Sequence, residues 1–155
     1  DSAQIIDFID LNLPICTDIG SGSGLPGIVL AIIMKHKKSE MKFKLYEKSY
    51  HKSNFLKEVS NKFNLNVEVL QKDIFEQKNL RSDIIVARAF KPLPIILNLI
   101  YGNFKFFKEV ILFLGKNAKE MLRDVLKEWE FEYQEKKSIT SDDSIILKIS
   151  KLKKR

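Results

Sequence analysis

The most informative stretch of this chain is Asp18-Ile-Gly-Ser-Gly-Ser-Gly-Leu-Pro-Gly27. It lies between a short apolar run at residues 15–19 and an almost wholly apolar helical pattern at residues 25–36. Glycines at such a point let the backbone turn with positive φ and let a ligand approach the main chain closely. A strand, a glycine-rich turn and a helix in this order predict the ligand-binding start of an α/β sheet.

The rest of the chain alternates short apolar runs with longer helical patterns, which favours an α/β fold with a mainly parallel sheet. We expect a lead-in helix within residues 1–12, and later helices over 51–64, from 92 to about 107, and over about 117–127. The predicted strands are 15–19, 43–46, 67–70, 84–87, 110–114, 129–135 and 145–149. A Ser/Thr/Asp-rich turn joins the last two as an antiparallel hairpin. The basic run at 148–155 predicts a flexible tail.

Composition limits the class of protein. The chain has 155 residues, of which 45% are hydrophobic and 30% charged, so we expect one globular domain over residues 1–155. One cysteine and two histidines form neither an internal disulfide nor a zinc-ligand cluster, so we predict no metal. No apolar run reaches the length of a membrane span, and we expect a cytoplasmic protein without a membrane partner. The first residue is Asp1 rather than Met, which predicts that an N-terminal part precedes it.

Charge is unevenly distributed along the chain. The net charge is +7, yet residues 1–34 contain four aspartates and no Lys or Arg, a local charge of −4. The remaining residues therefore carry 27 basic and 20 − 4 = 16 acidic side chains, a balance of +11. A basic body of this kind attracts polyanions such as RNA. A lysine-rich surface that is merely solvated explains the same numbers equally well.

Two classes of ligand compete for the glycine turn. Gly22-x-Gly24-x-x-Gly27 formally satisfies the dinucleotide-binding pattern, in which a helix N-terminus meets a pyrophosphate. The tight turn begins two residues too early for that pattern, at Gly20, and the Asp18 carboxylate would face a pyrophosphate badly. Asp18 suits instead the cationic sulfonium and amino-acid end of S-adenosylmethionine, and Glu47 can accept hydrogen bonds from both ribose hydroxyls. We therefore predict this cofactor; the alternative is that Asp18 caps the turn and Glu47 is ordinary surface.

The glycine stretch and its continuation to Ile32 resemble the bacterial 16S ribosomal RNA guanine-N7 methyltransferase G family, also called glucose-inhibited division protein B. Gly-Leu-Pro-Gly at residues 24–27 is more specific than a general methyltransferase turn. Further matches follow in order: Leu45-Tyr-Glu-Lys, Phe55-Leu-Lys-Glu-Val, Ala87-Arg-Ala-Phe90 and Leu114-Gly-Lys116. Asp1-Ser2 resembles the end of the family's N-terminal helical segment, so the resemblance covers essentially the whole chain.

The resemblance implies a Rossmann-like class I S-adenosylmethionine-dependent methyltransferase, with a mostly parallel seven-stranded sheet and a C-terminal antiparallel hairpin. It implies methyl transfer to N7 of a guanosine in 16S ribosomal RNA, with the small ribosomal subunit as partner, and we expect a monomer. Three alternatives stay open: another nucleic-acid or small-molecule methyltransferase of this fold, a dinucleotide-dependent oxidoreductase, and a non-catalytic RNA-binding module.

The resemblance also implies roles for particular residues. It places cofactor contacts at Gly20 and Leu25, the ribose at Glu47, and the adenine near residues 74–75. Phe75 stands where the family usually has an acidic residue, and residue 114 is Leu where many members have Lys. The candidate cofactor residues are Asp18, Gly20, Ser21, Gly22, Gly24, Leu25, Glu47, Ile74, Phe75 and Arg88. The candidate substrate residues are Arg88 and Lys116.

No catalytic residue is predicted. Guanine N7 carries a free lone pair at neutral pH, so its methylation needs in-line placement and suitable electrostatics rather than a general base. His36 and His51 lie near predicted helix ends, and Cys16 lies within a predicted strand as a buried structural thiol. Arg88 follows a strand at the edge where ligands bind such sheets, and suits an RNA phosphate, the guanine edge or the cofactor carboxylate. Its alternative role is a structural salt bridge.

Overall fold

The computed structural model describes residues 2–88 and 90–155, which form nine strands and four α-helices. The strands are β1 Ile15–Asp18, β2 Lys42–Tyr46, β3 Val67–Leu70, β4 Leu80–Arg81, β5 Ile84–Arg88, β6 Phe104–Phe106, β7 Glu109–Leu114, β8 Trp129–Lys137 and β9 Ile145–Lys154. The α-helices are α1 Gly27–His36, α2 Tyr50–Lys62, α3 Leu93–Asn103 and α4 Ala118–Val125. Short 3-10 helices occupy Ser2–Phe8 and Ile74–Glu76. No helix of these described ranges is long and apolar enough to cross a membrane.

Seven strands form the central sheet in the order β3-β2-β1-β5-β7-β9-β8. The first five of these run parallel, whereas β9 is antiparallel to both β7 and β8. From β1 the chain proceeds outward to β2 and β3, then returns to β5 on the other side of β1. The order thus reverses between β1 and β5, and ligands of open α/β sheets bind outside the carboxyl ends of strands at such a reversal. The predicted mostly parallel seven-stranded sheet with a C-terminal hairpin is confirmed.

Two hydrophobic clusters cover the two faces of the sheet. Along β5, Ile84 and Val86 belong to one cluster, whereas Ile85 and Ala87 belong to the other. All four side chains are fully buried, because a parallel strand between two helical layers has no solvent-facing side. The short continuous apolar runs of the sequence are therefore the central strands.

The first α-helix begins at Gly27, two residues later than the pattern predicts. Gly22 and Gly24 have φ values of +51° and +100°, so the backbone is still turning there. The segment between β1 and α1 is consequently a longer loop than expected, and it forms part of the candidate site.

The third α-helix ends at Asn103 rather than near residue 107. The next residues, Phe104–Phe106, are extended and pair with β4 in a separate two-stranded parallel sheet. The buried Asn103 side chain donates hydrogen bonds to the carbonyl oxygens of Ile74 and Phe75, at 3.1 and 3.2 Å. The end of α3 therefore anchors the segment in which the sequence predicts an adenine contact.

The predicted lead-in helix is a 3-10 helix at Ser2–Phe8, and Asp1 lies outside the described residues. Its Ile5 side chain is fully buried against the sheet. Lys136 donates hydrogen bonds to the Gln4 carbonyl and to Asp7, at 3.2 and 3.1 Å. Lys148 donates to the Phe8 carbonyl at 3.1 Å. This segment is thereby attached to the C-terminal hairpin.

The predicted flexible tail at 148–155 is wrong. Strand β9 extends to Lys154, and Ile149 and Leu152 within it are buried. Lys148 forms a salt bridge of 3.2 Å with Glu109, and the Arg155 Nε atom donates to the carbonyl oxygens of Leu126 and Trp129. The lysines occupy the exposed positions of a paired strand, which is why the sequence alone resembles a solvated tail.

Candidate active site

A cavity of about 310 Å³ opens at the carboxyl ends of the first three parallel strands. Its lining comes from the glycine turn, the end of β2, the segment after β3 and the segment after β5. Half of the candidate cofactor residues line it: Gly20, Gly22, Glu47, Ile74 and Phe75. Residues more than fifty positions apart are thus brought to one side of the sheet, as the prediction requires.

Asp18 lies beneath the glycine turn and does not line the cavity. Its side chain is fully buried, and its two carboxylate oxygens accept hydrogen bonds from the Gly20 and Gly27 amides at 3.2 and 3.0 Å. Burial raises the pKa of this carboxyl to about 7, although hydrogen bonds from the two amides lower it. Ser21 is buried next to it in the turn. The carboxylate therefore connects the two ends of the turn, and its predicted contact with the amino-acid end of the cofactor stays a prediction.

The glycines of the turn serve two different purposes. At Gly22, with φ +51°, a Cβ atom would meet no other atom within 4 Å, and the residue lines the cavity. At Gly24, with φ +100°, a Cβ atom would lie 2.7 Å from Ile28 Cγ1. Gly24 thus permits tight packing on α1, and Leu25 is 40% exposed next to it. Neither Gly24 nor Leu25 lines the cavity. Gly22 does line it, and the absence of a side chain there leaves room for a ligand.

Glu47 connects the glycine turn to the start of α2. Its Oε2 atom accepts a hydrogen bond from the Gly22 amide at 2.9 Å, and its Oε1 atom accepts one from the Ser49 amide, also at 2.9 Å. Each carboxylate oxygen has a further lone pair, so the side chain can also accept two ribose hydroxyls. Glu47 is accordingly both a support of the turn and the best acceptor in the cavity.

We expect Glu47→Ala to weaken S-adenosylmethionine binding by about 1–3 kcal/mol, roughly 5- to 150-fold, because two ribose hydroxyls lose a charged acceptor. Titration calorimetry measures the change directly. Glu58→Ala is the matched control, since Glu58 is exposed on α2 away from the cavity. An unchanged dissociation constant for Glu47→Ala would remove this residue from the ribose site.

The segment after β3 forms the opposite side of the cavity. Ile74 is buried, Phe75 is 38% exposed, and the Asp73 carboxylate accepts a hydrogen bond from the Phe75 amide at 3.0 Å. An apolar side chain beside a partly exposed ring suits the flat face of an adenine. The predicted adenine contacts at residues 74–75 are in position for that role.

Eight residues that line the cavity are not among the predicted site residues: Ile19, Tyr46, Lys48, Lys52, Lys72, Asp73, Phe90 and Lys91. Phe90 packs directly on Gly20, where an added Cβ atom would lie 3.0 Å from the ring, and its centroid is 6.3 Å from that of Phe75. Asp73 lines the cavity beside them. Phe90 closes the Ala87–Phe90 motif of the family resemblance, and Asp73 follows a strand at the sheet edge where ligands bind; these are the sequence signals that point to the two residues.

Arg88 and Lys116 do not line the cofactor cavity. Arg88 lines a separate cavity of about 160 Å³ together with Phe113 and Gly115, and its guanidinium carbon lies 5.4 Å from the Phe113 ring centroid. Lys116 lines a third cavity with Asp142 and Asp143. Side chains alternate along a strand, so Arg88 shares the face of Ile84 and Val86 and is directed toward β7. Arg88 therefore lies beside the cofactor cavity rather than in its lining, and its predicted cofactor and substrate contacts stay predictions.

Cys16 is fully buried in β1, as the sequence predicts for a structural thiol. Burial raises the pKa of the Cys16 thiol well above its usual value, and the nearby Asp18 carboxylate raises it further. A thiol is a poor nucleophile in this form, because the reactive species is the thiolate.

Solved structures with the same arrangement show the fold of this chain. TrmK of M. capricolum, in complex with S-adenosyl-homocysteine, superposes with a TM-score of 0.71 at 17% identity, covering 97% of this chain and 67% of that one. An S-adenosylmethionine-dependent O-methyltransferase from Thermotoga maritima gives 0.71 at 18% identity, covering 100% and 66%. The fold is that of the class I S-adenosylmethionine-dependent methyltransferases, as predicted.

Comparison of the sequence identifies the family. A family model described as rRNA small subunit methyltransferase G matches residues 1–147. The ribosomal RNA small subunit methyltransferase G of Pelagibacter ubique (strain HTCC1062) is 56% identical over 155 residues, covering 100% of this chain and 73% of that protein. The Rickettsia africae (strain ESF-5) protein of the same name is 35% identical over 154 residues, covering 99% and 77%.

The chain belongs to the rRNA small subunit methyltransferase G family. The predicted resemblance is confirmed, and so are the predicted S-adenosylmethionine cofactor and the rRNA methyltransferase activity.

Proposed function

We propose that this chain transfers a methyl group from S-adenosylmethionine to N7 of a guanosine in 16S ribosomal RNA of the small subunit. The observation that carries the proposal is the cavity at the carboxyl ends of β1–β3, where Gly22 leaves room for a ligand and Glu47 offers a carboxylate. Membership of the small-subunit rRNA methyltransferase family supports the class of substrate.

The chain's own residues bind and orient rather than exchange protons. S-adenosylmethionine, when bound, supplies an electrophilic methyl group on a positively charged sulfur. The N7 lone pair forms the new bond to carbon while the carbon–sulfur bond breaks, so the positive charge moves to the guanine and no proton has to leave. Glu47 suits the ribose and residues 74–75 suit the adenine, while Phe90 packs on Gly20 in the cavity wall. Catalysis of this kind rests on placement and electrostatics.

The remaining candidate residues keep proposed roles around this cavity. Asp18, Ser21 and Gly24 shape the turn, and Leu25 flanks it with a partly exposed side chain. Arg88 and Lys116 are proposed on the substrate side, because both follow or end strands at the same sheet edge as the cofactor cavity.

We also propose that residues 1–155 act as a single domain and as a monomer in the cytoplasm. One continuous seven-stranded sheet that joins β1 to β9 supports a single domain. A ribosomal RNA substrate supports the location.

The test is methyl transfer to small ribosomal subunits that lack 7-methylguanosine. We expect label from S-adenosylmethionine to appear in 16S ribosomal RNA, with the product nucleoside identified by mass spectrometry as 7-methylguanosine. Titration of the same protein with NAD is the comparison for the oxidoreductase alternative, and we expect no binding heat. Methylation at another atom of the RNA, or no transfer by a chain that binds the cofactor, would contradict the proposal.

A further inference from the structure

We propose that four lysines at the mouth of the cofactor cavity bind backbone phosphates of the RNA next to the target guanosine. The four are Lys48, Lys52, Lys72 and Lys91, here named the lysine rim. The inference rests on the proposed function, because it assigns the RNA to the same side of the sheet as the cofactor.

The lysine rim is assembled by the tertiary fold. Lys48 follows β2, Lys52 lies in the first turn of α2, Lys72 follows β3, and Lys91 follows β5. All four side chains are exposed and yet line one cavity. A run of neighbouring lysines is usually only solvated, but convergence of four segments on one opening concentrates positive potential there.

The carboxylates in the same cavity do not neutralise the rim. Glu47 accepts hydrogen bonds from the Gly22 and Ser49 amides, and Asp73 accepts one from the Phe75 amide. Within residues 2–88 and 90–155, no rim ammonium group lies within ion-pairing distance of a carboxylate. Five other lysines do have such partners: Lys42, Lys127, Lys136, Lys148 and Lys151. The rim therefore offers a ligand four ammonium groups that form no salt bridge within the described residues, although Lys72 lies near enough to Glu68 to help lower the pKa of that carboxyl.

The number and exposure of these charges favour RNA over the cofactor. S-adenosylmethionine has a single carboxylate and a positively charged sulfonium sulfur, so it cannot neutralise four ammonium groups. An RNA strand presents one phosphate for every nucleotide, and each lysine contact releases condensed counterions. Lysine acts on phosphate as a point charge, and phosphate contacts carry no sequence information, so the rim would contribute affinity and register rather than sequence preference.

The experiment compares two fourfold variants of the full chain. The rim variant carries Lys48→Gln, Lys52→Gln, Lys72→Gln and Lys91→Gln. The control variant carries Lys37→Gln, Lys38→Gln, Lys105→Gln and Lys108→Gln, four exposed lysines that precede β2 and β7 at the opposite edge of the sheet. Both lose the same charge, so only the position of the lysines differs.

Affinity for 16S ribosomal RNA is measured over a salt series from about 50 to 200 mM, and cofactor affinity by calorimetry. We expect the slope of log affinity against log salt to fall by up to about 3 in the rim variant, roughly 0.7 for each of four phosphates. The control variant should keep nearly the wild-type slope. Cofactor affinity, measured for both variants, shows whether the rim lysines also contact the cofactor whose cavity they line.

Equal slopes for the two variants, or an RNA affinity indifferent to salt, would overturn the proposal. Loss of cofactor binding in the rim variant with an unchanged RNA slope would assign the lysines to the cofactor instead. Loss of binding to phosphatidylserine vesicles, again with an unchanged RNA slope, would assign them to a membrane surface.

The slope is measured without turnover, which separates this proposal from the proposed function. A chain that binds RNA through the rim but forms no 7-methylguanosine contradicts the proposed function alone. Formation of 7-methylguanosine with equal slopes in both variants contradicts the rim alone.

Discussion

Gly22→Val is expected to abolish detectable S-adenosylmethionine binding, a loss of more than about 100-fold or 3 kcal/mol. Gly22 has φ +51°, which a β-branched residue adopts only with strain, and its amide donates to Glu47 at 2.9 Å. No atom lies within 4 Å of the added Cβ, so the side chain meets no protein core and occupies the cavity. We therefore expect a cooperative unfolding transition to persist, measured by urea denaturation beside the calorimetric titration.

Gly102→Ala is the control for this substitution. Gly102 lies within α3 with no atom near an added Cβ and with no positive φ. Alanine in a helix is favoured over glycine by up to about 1 kcal/mol, so this variant should bind the cofactor normally and unfold at slightly higher urea. Normal binding by Gly22→Val would show that the ligand does not pass over the glycine turn.

The second large effect is the pH dependence of stability that Asp18 produces. Burial raises the pKa of Asp18 from 3.8 to about 7 in the folded chain, so between these values the folded state binds a proton that the unfolded state has lost. The contribution of Asp18 to the free energy of unfolding is therefore greatest below about pH 4 and is lost as the pH rises through about 7. Between about pH 5 and pH 8 the change amounts to about 2–3 kcal/mol.

The measurement compares wild type with Asp18→Asn by urea unfolding at these two pH values. Asparagine keeps the size of the side chain and one of the two acceptors for the Gly20 and Gly27 amides, but does not titrate. The stability of wild type relative to the variant should be higher at the lower pH. Asp142→Asn, at an exposed position between β8 and β9, controls for removal of one carboxylate. A difference independent of pH would show that Asp18 titrates in its ordinary range.

Much of the fold and part of the site follow from local patterns. The central strands are recognisable because residues buried on both faces form continuous apolar runs, as in Ile84–Ala87. The turn at Gly20–Gly24 is recognisable because positive φ selects glycine, and two of its three glycines have positive φ. Glu47 is recognisable as a candidate ligand-binding residue because it lies at the carboxyl end of a strand next to that turn, where ligands of such sheets bind. These inferences need only spacing and residue type.

Other features depend on which segments become neighbours. The lysines of β9 look like a solvated tail until Ile149 and Leu152 are seen packed in the core, with β7 and β8 paired on either side. Arg88 lies at the predicted sheet edge, but its cavity is formed with β7 and β9 rather than with the glycine turn.

The electrostatic character of the site is likewise a product of the tertiary structure. Asp18 is an ordinary carboxylate in the sequence, and its raised pKa comes from the burial that the surrounding elements impose. The lysine rim is assembled from four segments between residues 48 and 91. The sequence by itself determined the seven strands of the central sheet, the turn and the carboxylate beside it, because these depend on residues close together along the chain. Only the tertiary structure decided the dielectric around Asp18 and the charge at the cavity mouth, because both depend on distances between residues far apart along it.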